Sequence, residues 1–176
     1  HTLTGTGILN EVTGNPLSNS KGIEISSQVS NVEIKNLTIK NVYVGISGSN
    51  ANGLTITGVT MSDVGTYGIE LYRSDGLKIE SNNISLGDFI TISQTGIHLV
   101  GHNAYLGQGN GSCTGTGQYV SSSQDGPMVI KSNTITGNGL SVEGSGYCID
   151  GNTISGFKGG IHIAATSFDG GATPTA

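Results

Sequence analysis

Gly68-Ile69-Glu70-Leu71 is written six times in this chain, with small changes. The copies are Gly22-Ile23-Glu24-Ile25, Gly45-Ile46-Ser47-Gly48, Gly68-Ile69-Glu70-Leu71, Gly96-Ile97-His98-Leu99, Gly139-Leu140-Ser141-Val142 and Gly160-Ile161-His162-Ile163. Their glycines stand 23, 23, 28, 43 and 21 residues apart. A recurring unit of about 20 to 25 residues is the signature of a solenoid. One unit has too few apolar residues to close a core, whereas stacked units bury a continuous interior.

Each coil around this motif contains further short alternating segments. One coil reads Val32-x-Ile34, Leu37-x-Ile39 and Ile46, and the next Leu54-x-Ile56, Val59-x-Met61 and Ile69-x-Leu71. Leu77-x-Ile79, Asn82-x-Ile84 and Ile97-x-Leu99 follow, then Met128-x-Ile130, Asn133-x-Ile135 and Leu140-x-Val142. The last coil is Tyr147-x-Ile149, Asn152-x-Ile154 and Ile161-x-Ile163. Alternation with period two marks strands with one buried face. Three such strands per turn, recurring in parallel, predict an all-β, three-faced parallel solenoid of about six coils. Asn82, Asn133 and Asn152 share one inward position, each two residues before an isoleucine. That predicts a hydrogen-bonded asparagine ladder along the axis, a structural role rather than a catalytic one.

The 176 residues fit a single domain, 1–176, and the 30 glycines suit short strands and tight turns. Charged residues make up 11% and the net charge is −5. That balance argues against nucleic acid and against anionic membrane surfaces, which need basic patches. No apolar run reaches the length of a membrane span, and no signal peptide is visible. The start at His1 and the uncapped ends read as an excised piece of a longer protein.

Residues 1–21 are expected to form an irregular opening coil with Leu3, Ile8, Leu9 and Val12 inward and a turn at Asn15-Pro16. Residues 100–127 break the period and form an irregular insertion, and residues 164–176 form an open tail. Two cysteines, Cys113 and Cys148, leave open one disulfide or two thiols, with Cys148 pointing outward towards the insertion. No cluster has metal-ligand spacing, so no metal or cofactor is expected, and calcium has no motif behind it.

The N-x-I and G-I-x-I units, such as Asn133-Thr134-Ile135 and Gly160-Ile161-His162-Ile163, resemble the right-handed parallel β-helix (pectate lyase-like) superfamily over residues 22–163. That group includes pectate lyases, polygalacturonases, epimerases and phage tailspikes. The resemblance implies an extracellular or virion-associated protein that binds long acidic or capsular polysaccharides along its side. It also implies a tailspike or polysaccharide-degrading enzyme, a lyase or a glycoside hydrolase, and a possible homotrimer. The polygalacturonase residues do not carry over. Thr66-Tyr67-Gly68 stands where an aspartate is expected, Gly87-Asp88-Phe89 keeps one aspartate of a pair, and Gly101-His102-Asn103 and Ile130-Lys131 match only in part. The arginine motif of pectate lyases is absent as well.

The residues themselves offer one candidate ridge. The outward position of the repeated motif gives a column of Glu24, Ser47, Glu70, His98, Ser141 and His162. Rungs lie about 4.8 Å apart, which makes Glu70 and His98 near neighbours. Glu70, His98, Asp88 and Asp75 are the candidate catalytic residues, with Glu70 paired to Asp75 or Asp88 for glycoside hydrolysis. Tyr72, Arg73, Tyr105 and His102 are the candidate substrate contacts. A lyase would use a base here, with Arg73 or calcium neutralising the substrate carboxylate. An ordinary polar solenoid surface explains the same residues without catalysis. In that case the chain is an adhesin, fibre or structural module that binds or stacks end-on. A second column, Thr38, Thr60, Asn83, Thr134 and Thr153, suits glycan or ice binding, or simply a soluble strand face.

Overall fold

The computed structural model describes residues 1–5, 20–74, 76–87, 94–100, 128–143, 147–156 and 159–164. All strand pairings among them are parallel, and partners sit one coil apart. One sheet stacks Glu33–Lys35, Thr55–Thr57, Lys78–Glu80, Met128–Lys131 and Tyr147–Asp150 in that order. The other sheet is folded over two faces. Thr38–Ser49 and Thr60–Tyr72 run unbroken through the corner between those faces, with a register shift at the bend. The three strands expected per turn are therefore merged to two in these coils. Thr2–Thr4, Asn83–Leu86, Thr134–Thr136 and Thr153–Ser155 extend one face, and Lys21–Ile25, Thr95–Val100, Leu140–Glu143 and Ile161–Ala164 the other.

Inside, each face contributes a stacked column of aliphatic side chains. Ile34, Ile56, Ile79 and Ile130 line one, Ile39, Met61, Ile84 and Ile135 the second, and Ile46, Ile69, Ile97 and Leu140 the third. Each fully buried side chain of this kind contributes about 2 kcal/mol of transfer free energy. Burial fades at both described ends. Leu3, expected to point inward, falls in register with Ile39 yet is 41% exposed. Its strand also replaces part of the irregular opening expected there. Ile161 and Ile163 are 50% and 64% exposed on the last described rung. Ile8, Leu9, Val12, the Asn15-Pro16 turn and almost all of the 100–127 and 164–176 segments lie outside the described residues.

Glycine at the head of each motif answers to space rather than to backbone conformation. None of Gly22, Gly45, Gly68, Gly96 and Gly139 has positive φ. A Cβ on Gly68 would lie 2.5 Å from the Gly96 carbonyl oxygen and 2.5 Å from Ile84 Cγ2. Side chains cannot enter a corner where successive backbones approach this closely. The positive φ falls elsewhere. Asn36, Gly58, Ser81, Ser132 and Gly151, with φ of 51°, 62°, 56°, 53° and 61°, stack in one left-handed column at the corner between the two sheets.

Directly after that corner comes the asparagine ladder. Asn133 Oδ1 accepts from the Asn82 backbone N–H and side-chain amide, both at 3.0 Å. Asn152 Oδ1 accepts from the same two groups of Asn133, both at 2.9 Å. Each amide also donates to a core strand of the preceding coil: Asn82 to Ile56 O at 3.0 Å, Asn133 to Ile79 O at 2.9 Å and Asn152 to Ile130 O at 2.8 Å. The ladder expected from the sequence is present, and it satisfies buried backbone groups that the turn would otherwise strand.

Candidate functional site

Strand register converts the repeated motif into a ridge. Glu24 pairs with Ser47, Ser47 with Glu70, Glu70 with His98, His98 with Ser141 and Ser141 with His162. The column read from the sequence is thus continuous over six rungs. Ser47 is buried, Glu70, His98 and Ser141 are half-buried, and the outer members, Glu24 and His162, are exposed. Glu24 takes an ion pair from Lys21, and Ser141 Oγ lies 3.3 Å from His162 Nδ1.

Glu70 and His98 are neighbours, as expected, but each is engaged by a tyrosine. Tyr72 donates its hydroxyl to Glu70 Oε1 at 2.9 Å. His98 stacks on Tyr67, with ring centroids 4.9 Å apart and planes 17° from parallel, and meets Tyr72 edge-on at 6.5 Å. The result is a compact aromatic cluster with one carboxylate built into it. Tyr67 precedes the repeated motif on its strand and reaches His98 diagonally, one rung along. Sequence periodicity does not reveal it, because a diagonal contact depends on side-chain direction and not on alternation alone.

Burial is the first cause that pushes the Tyr72 phenol up to about 12, followed by its hydrogen bond to Glu70 and the charges of Glu70 and Glu143. Tyr67 is also raised, first by burial, then by Glu70 and by Tyr43. Both hydroxyls therefore stay protonated through the neutral range, and that of Tyr72 donates to Glu70. Glu143 joins the site through register. It follows Val142, the partner of Leu99, and so falls in the outward column of Tyr72 and Val100.

Arg73 closes the strand with φ of 46°, the left-handed region, and its N–H donates to Val100 O at 2.9 Å. The buried Ser74 hydroxyl fixes this turn, accepting from the Ala51 N–H and donating to Tyr72 O, both at 3.0 Å. The guanidinium is exposed and forms no ion pair among the described residues. Asp75, Asp88, His102 and Tyr105 lie outside the described residues, so the pairing of Glu70 with Asp75 or Asp88 has no geometry here. Of the expected site, Glu70, His98 and Tyr72 are brought together, and Arg73 follows them at the turn.

Two other expectations concern neighbouring faces. Cys148 pairs with Val129 and alternates away from the core, yet it is 4% exposed and disulfide-bonded. The chain's other cysteine, Cys113, lies outside the described residues. Thr38, Thr60, Asn83, Thr134 and Thr153 are in register and form a hydroxyl-rich column. Beside it Thr4, Lys40 and Ser62 stack in one stretch and Ser85, Thr136 and Ser155 in another, with a register shift between the two. Among the described residues, no group of three or more His, Cys, Asp or Glu could hold a metal ion.

A family model described as a right-handed β-helix region matches residues 2–168. No curated protein and no solved structure matches the chain.

Proposed function

The chain belongs to the right-handed β-helix family, and from that premise we propose that it is a polysaccharide-binding β-solenoid whose repeated-motif face is the recognition surface. One observation carries the reading. Tyr67, His98 and Tyr72 form a contiguous aromatic cluster around Glu70, part exposed, on the repeated-motif face. The exposed Tyr72 ring, beside the Tyr67–His98 stack, suits the C–H-rich face of a sugar, and the carboxylate accepts from sugar hydroxyls. A stiff, regular ridge suits a polymer, because each rung repeats the same lateral spacing. The oxidised Cys148 supports an extracellular or virion-borne setting, since disulfides persist in oxidising compartments.

Cleavage of the bound chain, by a lyase or a glycoside hydrolase, is a second reading favoured by Glu70 beside His98. It requires a second functional group at the ridge. A tailspike or degrading enzyme and a trimeric or end-on assembly belong to this same proposal. A non-catalytic adhesin or fibre would use the ridge for binding alone.

The test uses affinity electrophoresis and product assays on neutral, uronate and capsular polysaccharides. Retention by at least one polymer, lost in Tyr67→Ala and Tyr72→Ala variants of native fold, supports the ridge. New reducing ends, or ultraviolet absorbance from unsaturated sugars, that disappear in Glu70→Gln would add catalysis. A folded protein retained by none of the polymers overturns the proposal.

A further inference from the structure

Charge on the ridge points to one class of polymer over another. Glu70 and Glu143 stand on this face without an ion pair among the described residues, while Lys21 is already engaged by Glu24. Glu70 is anchored by an uncharged donor, the Tyr72 hydroxyl. Its carboxylate is thus positioned by a hydrogen bond, and among the described residues no cation pairs with it. Arg73 follows Tyr72 at the turn and forms no ion pair with either glutamate among the described residues.

We infer that the ridge selects uncharged glycan chains and disfavours uronates. This rests on the reading above that the ridge binds polysaccharide, and it opposes the acidic-polymer preference implied by the resemblance. An uncharged sugar packs on the exposed Tyr72 ring beside the Tyr67–His98 stack and donates hydroxyls to Glu70. A uronate places its own carboxylate against Glu70 and Glu143, where like charges meet over partly desolvated rings. Tyr72 cannot relieve the conflict, because its single proton is already committed to Glu70. Salt reaches an exposed ridge, so added salt weakens the discrimination.

One polymer with its charge erased provides the test. Polygalacturonate and its fully methyl-esterified form share a backbone, and a neutral glucan and a galactomannan complete the panel. The expected result is retention of one or more uncharged polymers, with the esterified chain bound about tenfold or more tighter than polygalacturonate at low salt. The gap closes towards parity at about 1 M salt, where the Debye length has shrunk to about 3 Å. It also narrows in a Glu70→Gln, Glu143→Gln double variant whose circular dichroism matches the parent. Tighter binding of polygalacturonate, lost in Arg73→Ala, overturns the selectivity while leaving the binding reading intact. Equal binding of both forms also overturns it. No retention of any polymer by folded protein removes the binding reading itself.

Discussion

Asn133 accepts two hydrogen bonds from Asn82, through a single side-chain oxygen, across 51 residues of sequence. Its amide meanwhile serves Ile79 O and Asn152. Replacing Asn133 with alanine leaves the Asn82 backbone N–H, one hydrogen of its amide and the Ile79 carbonyl without these partners in a buried position. Each unsatisfied group costs about 1–3 kcal/mol, and partial relaxation brings the expected loss to about 2–4 kcal/mol. The neighbouring exposed Thr134→Ala should change stability by less than about 0.5 kcal/mol. Urea midpoints of the two variants decide whether the ladder bears this load.

Glycine substitutions at one repeat position should have opposite consequences. In Gly68→Ala the new methyl meets the Gly96 carbonyl and Ile84, neither of which can swing aside, and about 1–3 kcal/mol of overpacking follows. Gly160 occupies the same motif position, but a methyl added there would meet nothing within 4 Å. Gly160→Ala should be neutral or up to about 1 kcal/mol stabilising, through the unfolded chain. Thermal melts of both variants check the sign difference.

Arg73 holds a left-handed backbone that its neighbour one coil earlier, Asn50 with φ of 52°, adopts at lower cost. Asparagine tolerates this region better than a long unbranched side chain does. Arg73→Asn is expected to raise stability by about 0.5–1 kcal/mol. A lower denaturation midpoint in the variant would show that the guanidinium contributes more to the fold than its exposure suggests.

Alkaline titration tests the Tyr72–Glu70 contact. The folded phenol lies at about 12, above the ordinary tyrosine value of 10.0. A group raised in the folded state contributes its stability fully below its unfolded value and loses it as pH climbs towards the folded one. The protein should therefore lose stability between about pH 10 and pH 12, and Tyr72→Phe should remove part of that loss. Tyr72 is 39% exposed, so solvent screening keeps the effect small. Phenolate absorbance offers a sharper readout: Tyr72→Phe deletes a late-titrating component, and Glu70→Gln moves it to lower pH.

The repeated motif made much of this legible because a parallel solenoid translates sequence period into lateral contact. Once Gly45, Gly68 and Gly96 are aligned, Ser47, Glu70 and His98 must stack, and so they do. Asn82, Asn133 and Asn152 were legible for the same reason. Other features lay outside that logic. Whether Ile39 and Ile46 belong to separate strands depends on how a backbone bends at Val42, which alternation does not encode. The stacking of Tyr67 on His98 depends on rotamers. The left-handed corner is filled by Asn36, Gly58, Ser81, Ser132 and Gly151, residue types too varied to stand out as one column.

The uneven spacing of the repeats also has a kinetic meaning. The first two rung-to-rung steps close after 23 residues each, but Gly96 and Gly139 are separated by 43. Closing that longer segment costs about 0.6 kcal/mol more chain entropy. In a nearest-neighbour stack, such a step is a natural pause in propagation. The rungs before Val100 should zip first and template those after Met128, and unfolding should run back from the exposed Ile161 and Ile163. Amide exchange would then rise in order towards Ile163, so that the molecule behaves as a zipper with one stiff tooth.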